Sequence, residues 1–162
     1  MFVAAFLMKI DRKRSKSNLG GLEPGESLVI RWAVPLVVVV LTLVVFSKVL
    51  HNGFVDWDDD RILLENDNFR GLNWFNIQWM FTTFYKSLYR PLTWVSFGFD
   101  YLLWGMNPVG YHLSSLLLHV ANAFLVYLLA FRIYSLPAIG FETLNKSTRC
   151  IVAGIVALWF AI

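Results

Sequence analysis

The chain alternates between long apolar stretches and segments that mix aromatic with polar residues. Leu28 to Leu50 is the longest apolar stretch. Its centre, Leu36 to Phe46, is nearly pure valine and leucine, and no charge falls between Arg31 and Lys48. A bilayer core about 30 Å thick needs roughly 20 apolar residues in helical form, so this run predicts a first membrane-spanning helix. Each central Leu or Val favours insertion by roughly 0.3–0.6 kcal/mol, and together they outweigh Thr42 and Pro35. Pro35 is expected near the helix start, where a missing N–H costs least. Arg31 and Lys48 can extend their charged ends toward the interfaces. Tyr111 to Ile133 predicts a second span, closed by Arg132. A third apolar run, Cys150 to Ile162, is shorter than a span requires and reads as the start of a third helix. The expectation is therefore a piece of a longer protein.

Between the first two spans, residues 51–110 are polar and aromatic. Trp74 to Phe84 sets Trp, Phe, Ile and Met among Asn, Gln and Thr, a pattern suited to a helix lying in the membrane interface. Leu92 to Trp104 is apolar apart from Asp100 and suits an interfacial or re-entrant helix. Gly105, Asn107, Pro108 and Gly110 predict a break before the second span. Residues 134–149 form a short connection, and residues 1–27 a tail in which Gly20, Gly21, Pro24 and Gly25 disfavour regular structure.

Composition agrees with a membrane protein. The chain is 57% hydrophobic and 15% charged, against about 25% charged in soluble domains. Seven Trp residues fit side chains that collect at membrane interfaces. The net charge of +3 hides an asymmetry: Lys9, Arg12, Lys13, Arg14 and Lys16 crowd the start, while the 51–110 segment is acidic. Beside an apolar helix, such a basic cluster reads as a topology signal rather than a nucleic-acid arm. It places the N-terminus in the cytoplasm and the 51–110 loop outside, in a bacterial inner membrane or the endoplasmic reticulum. Met1 to Met8 is too short to span and has its charges after the apolar stretch, unlike a secretory signal. The single Cys150 offers neither a disulfide nor a metal-ligand spacing, and reads as packing.

Three groups of residues carry candidate chemistry. In Asp56-Trp57-Asp58-Asp59-Asp60 the crowded carboxylates repel one another. One of them could act as a general base, or the group could hold a divalent cation, or it could be a solvated turn. His112, Ser115, His119 and Asn122 recur at spacings of three and four, which places them on one helical face. Such a stripe serves helix–helix hydrogen bonding, while His112, nearest the outer face, could touch substrate. Arg90, in Tyr89-Arg90-Pro91, could bind a phosphate in bidentate fashion or anchor to lipid phosphates. There is no P-loop, GxGxxG, HExxH or serine nucleophile elbow, and no internal repeat.

The run Asn52-Gly53-Phe54-Val55-Asp56-Trp57-Asp58-Asp59 with Asn66 resembles the first-loop signature of a membrane glycosyltransferase family. So do Tyr89-Arg90-Pro91-Leu92-Thr93, and Asn107-Pro108-x-Gly110-Tyr111-His112 leading to Leu118-His119-x-x-Asn122. These are the multi-span proteins with C-terminal tetratricopeptide repeats, related to the animal transmembrane and TPR-containing protein O-mannosyltransferases and their bacterial counterparts. The resemblance, over about residues 28–162, implies an all-α GT-C-like membrane fold with two complete spans and the start of a third. It implies an acidic pair at the catalytic centre in the first outer loop, which Asp58 and Asp59 match, flanked by Asp56 and Asp60. It also implies a polyprenyl- or dolichyl-phosphate sugar as donor, Arg90 as a phosphate contact, a protein acceptor, and neither metal nor further cofactor. Members of that family usually continue the third span into a His-Pro motif, and the given sequence stops just before the corresponding point. The alternative expectation is a non-catalytic membrane anchor for a repeat scaffold that binds proteins.

Overall fold

A computed structural model describes residues 24–136 and 144–162. Most of the basic tail, and the middle of the 134–149 connection, lie outside the described residues. The described chain is mostly helical. It forms α1 (Pro24–Phe46), a 3-10 turn (Ser47–His51), a wide π turn (Asp60–Leu64), α2 (Trp74–Thr82), α3 (Pro91–Trp104), α4 (Pro108–Ile133) and α5 (Lys146–Ala161). No β-strand forms among the described residues, apart from one antiparallel bridge between Tyr85 and Leu88. Two segments, Val29–His51 and Pro108–Ile133, are helical, long and apolar enough to cross a membrane.

The described residues divide into two compact units, residues 24–41 with 123–136 and 144–162, and residues 42–122. In the first, Val38 of α1 packs with Ala123, Tyr127 and Ala130 of α4 and with Ala153, Ala157 and Ala161 of α5. The α5 positions are small, which lets helices approach closely, as membrane helices do when packing rather than water drives association. Gly154 is one such contact: a Cβ there would lie 2.4 Å from Val34 Cγ1. Cys150 is fully buried, in keeping with a packing role. Leu36 and Val37 face outward.

Pro35 does not sit at the helix start. Because α1 begins at Pro24, Pro35 lies in its interior. An interior proline removes the N–H that would bond the carbonyl four residues earlier, here that of Arg31. The Tyr127 hydroxyl donates to the Arg31 carbonyl at 3.4 Å and supplies the missing donor from α4.

The second unit has an aromatic core. Phe69, Met80, Trp94 and Tyr111 are buried together with Leu63. Trp94 receives the edges of Trp79 and Tyr85 at 5.3 and 5.5 Å between ring centroids. Asn73 caps α2, its side chain accepting from the Asn76 N–H at 3.1 Å. Pro91 opens α3, where its absent N–H costs nothing. Gly98 lets α3 press onto the preceding loop: a Cβ there would lie 2.8 Å from Leu72 Cδ2 and 3.0 Å from the Gly71 carbonyl oxygen.

The expected break at 105–110 is narrower in the structure. Gly105 ends α3 with φ +61, but Pro108 begins α4 and Gly110 lies inside it. Asn107 Oδ1 accepts from the Val109 N–H at 3.1 Å and starts the helix early. The third helix also starts earlier than its apolar run. Asn145 accepts from the Thr148 N–H at 2.8 Å, so the polar residues 146–149 form its first turn.

Between α2 and α3 the chain reverses at Lys86 and Ser87, which have φ of 49° and 65°. Tyr85 and Leu88 exchange main-chain bonds of 3.1 and 3.0 Å across this turn. Two successive left-handed residues are the geometry of a type I′ hairpin, normally built from Asn and Gly. Non-glycine residues there cost roughly 1–2 kcal/mol each.

Candidate functional site

The acidic segment folds as a tight turn running into a wide one. Residues 56–57 turn, 58–59 are helical, and Asp60–Leu64 form the π turn. The Glu65 N–H reaches back five residues to the Asp60 carbonyl at 2.8 Å. Single π turns are rare and gather at functional sites. Leu63 anchors this one by burying its side chain in the aromatic core.

The five residues of the cluster have different surroundings. Asp56, Trp57 and Asp58 are exposed, whereas Asp59 and Asp60 are partly covered. Asp56, Trp57, Asp58, Asp60 and Arg61 line an open polar depression of about 430 Å³. Asp59 does not line it: its Oδ2 accepts the Val55 N–H at 3.0 Å and ties the two ends of the turn together. The pair expected at Asp58 and Asp59 thus divides into one carboxylate facing open space and one engaged with the backbone. Among the described residues the ion pair is Arg70 with Asp67, and the acids at 56–60 have none.

Arg90 precedes α3, with its guanidinium carbon 5.5 Å from the centroid of the Trp94 ring. Its Nε and Nη2 are buried without an acceptor, and so is the Trp94 Nε1. Buried donors without partners are uncommon and costly, on the order of 1–3 kcal/mol each. Tyr85 connects this group to the acidic turn. Its ring meets Trp94 edge-on, and its hydroxyl donates to the Arg61 carbonyl at 2.8 Å. Arg90, Trp94, Tyr85 and Arg61 form a continuous set of contacts that ends at the depression.

His112 sits at the other side of the acidic segment, its Nε2 3.4 Å from the Gly53 carbonyl oxygen, three residues before Asp56. The neighbouring rings of Phe54 and Tyr111 meet edge-on at 5.5 Å. The rest of the polar stripe has separate surroundings: His119 packs edge-on against Phe46 at 5.2 Å, and Ser115 and Asn122 are exposed. Asn66 is buried, its Oδ1 accepting from the Asn68 N–H at 3.1 Å and from Asn68 Nδ2 at 3.2 Å. It therefore shapes the loop.

Two further polar positions emerge only in the structure. Asp100 is buried in α3 and accepts a hydrogen bond from the Ser114 hydroxyl on α4. Burial pushes its carboxyl above the ordinary 3.8, and the Ser114 bond opposes that shift. Tyr85 and Trp94 carry no sequence signal that separates them from the many other aromatic residues nearby. Among the described residues no three His, Cys, Asp or Glu side chains gather as metal ligands.

Two proteins of Drosophila melanogaster are similar to this chain. Protein O-mannosyl-transferase Tmtc1 is 36% identical over 98 residues, which is 56% of this chain and 11% of that protein. Protein O-mannosyl-transferase Tmtc3 is 58% identical over 33 residues, 20% of this chain and 4% of that protein. No family model matches the chain, and no solved structure matches it. The chain spans about a tenth or less of the length of the curated relatives it matches.

Proposed function

We propose that this chain is a membrane-embedded part of a glycosyltransferase that moves a mannose-like sugar from a polyprenyl phosphate to a protein hydroxyl, on the extracytoplasmic face. The observation that carries this reading is the linkage of an open carboxylate depression, through Tyr85 and Trp94, to a guanidinium with buried, unpaired N–H groups. The two similar proteins named as O-mannosyl-transferases support the same reading, as does the pair of helices able to cross a membrane.

In this reaction the acceptor oxygen attacks the anomeric carbon and the bond from that carbon to the phosphate oxygen breaks. The hydroxyl proton passes to a carboxylate acting as general base. Asp58 is exposed and lines the depression, with Asp56 and Asp60 beside it, and is assigned that task. Asp59 holds the turn in shape. The leaving phosphate gains negative charge, which the Arg90 guanidinium is suited to stabilise. His112 borders the acidic segment and serves as a substrate contact. The fold reading is GT-C-like, with the N-terminus in the cytoplasm and the 51–110 loop outside.

The test is made in the longer protein. Asp58→Asn is expected to lower sugar transfer by roughly 10²–10⁴-fold, the usual contribution of a general base, while membrane insertion is unchanged. Transfer that persists with both Asp58 and Asp59 changed to Asn would refute the reading. The exposure of Asp56 and Asp58 favours the second reading, a solvated turn on a non-catalytic anchor for a repeat scaffold. In that case neutralising the acids leaves function intact and deleting the repeats removes it.

A further inference from the structure

The Lys86–Ser87 turn is surrounded by exposed apolar side chains. Phe84 is 72% exposed, Leu88 and Tyr89 50% each, and Phe81 46%. These residues are organised: the rings of Phe84 and Tyr89 lie 5.2 Å apart, and the Tyr89 hydroxyl donates to the Phe81 carbonyl at 3.0 Å. The left-handed backbone at Lys86 and Ser87 is held by the paired main-chain bonds of Tyr85 and Leu88. Tyr85 alone turns inward, onto Trp94, while the side chains of Phe84, Leu88 and Tyr89 stay outside the core. Exposed apolar groups of this size mark a surface that meets another apolar phase.

We propose that this turn is a membrane-interface anchor, with Phe81, Phe84, Leu88 and Tyr89 seated among lipid acyl chains and head groups and Lys86 at the level of the lipid phosphates. Three observations select lipid over a protein partner. The segment between Val29–His51 and Pro108–Ile133 is tethered at both ends to helices able to cross a membrane, so a bilayer surface is its constant neighbour. The set combines one aliphatic residue, two phenylalanines, a tyrosine with a polar edge and a lysine, and tyrosine and lysine are among the residues that membrane interfaces favour. Lys86 carries the tip's charge, its ammonium 5.7 Å from the Tyr85 ring centroid. The inference is independent of sugar transfer and requires only that the two helices span the bilayer.

The experiment uses the full chain in phosphatidylcholine nanodiscs, with Cys150→Ala removing the native thiol. A nitroxide label is attached through Leu88→Cys, Phe84→Cys or, as an exposed reference, Glu65→Cys. Oxygen partitions into lipid, whereas a nickel chelate remains in water, so the ratio of their collision rates reports immersion. The expected ratio at positions 84 and 88 is several-fold higher than at position 65. A ratio equal to the reference would place the turn in water and overturn the proposal. Low collision rates with both reagents would show a protein cover and overturn it equally.

Discussion

The hydroxyl of Tyr85 donates to the main-chain carbonyl of Arg61, joining residues 24 positions apart at 2.8 Å. The bond fixes the acidic turn against the aromatic core, since the Tyr85 ring is itself packed on Trp94. Tyr85→Phe keeps the ring and removes only the donor. It is expected to destabilise the turn by about 0.5–1.5 kcal/mol, the usual net worth of such a bond. Amide hydrogen exchange should quicken over residues 60–65 and stay unchanged in α2.

Asp58 and Asp59 should separate in the same measurement. Asp59 accepts the Val55 N–H, so Asp59→Ala is expected to lower protection of that amide, with a loss on the order of 1 kcal/mol. Asp59→Asn retains an acceptor oxygen and should preserve most of the protection. Asp58→Ala, which removes no such bond, should leave the Val55 amide unaffected.

Asp100 makes stability depend on pH. Burial raises its folded-state pKa above the ordinary 3.8, against the opposing Ser114 bond. The folded protein therefore retains this proton to higher pH than the unfolded chain does. Its contribution is most favourable below the ordinary value and declines as pH climbs through the raised one. Asp100→Asn keeps an acceptor for Ser114 and cannot ionise. Thermal unfolding in detergent from about pH 4 to about pH 7 should show a shallower decline for the variant, and equal or greater stability near neutrality.

Gly98→Ala tests how closely α3 packs on its loop. The added methyl would meet Leu72 Cδ2 at 2.8 Å, the Gly71 carbonyl oxygen at 3.0 Å and Met80 Cε at 3.1 Å. Leu72 and Met80 have flexible ends, but the carbonyl is backbone and yields less. The expected cost is roughly 1–3 kcal/mol, the range for overpacking, measured by chemical denaturation in detergent.

The two helices long and apolar enough to cross a membrane were legible because one quantity, the length of the apolar run, decides them. Their ends were not, because single polar residues set them. Asn145 starts α5 ahead of its apolar run, and Asn107 draws Pro108 and Gly110 into α4 where turn-forming composition predicted a break. Pro35 was misplaced for the related reason that α1 begins at Pro24. At the candidate site the charges were visible in sequence, and Arg90 stood out between apolar segments. The different surroundings of Asp58 and Asp59 were not legible, since they arise from the path of the backbone through the π turn. Tyr85 and Trp94 were equally hidden, being two aromatics among many and distinguished only by what they touch.

Pro35 also bears on how the helices come together. Standing alone, α1 would hold a carbonyl at Arg31 that its own backbone cannot satisfy. The Tyr127 hydroxyl completes that bond only when α4 stands beside α1 at one register. A slip of α4 by one turn would carry the hydroxyl about 5.4 Å away. The proline thus acts as an alignment mark, making the earlier helix incomplete until the later one arrives in the correct position.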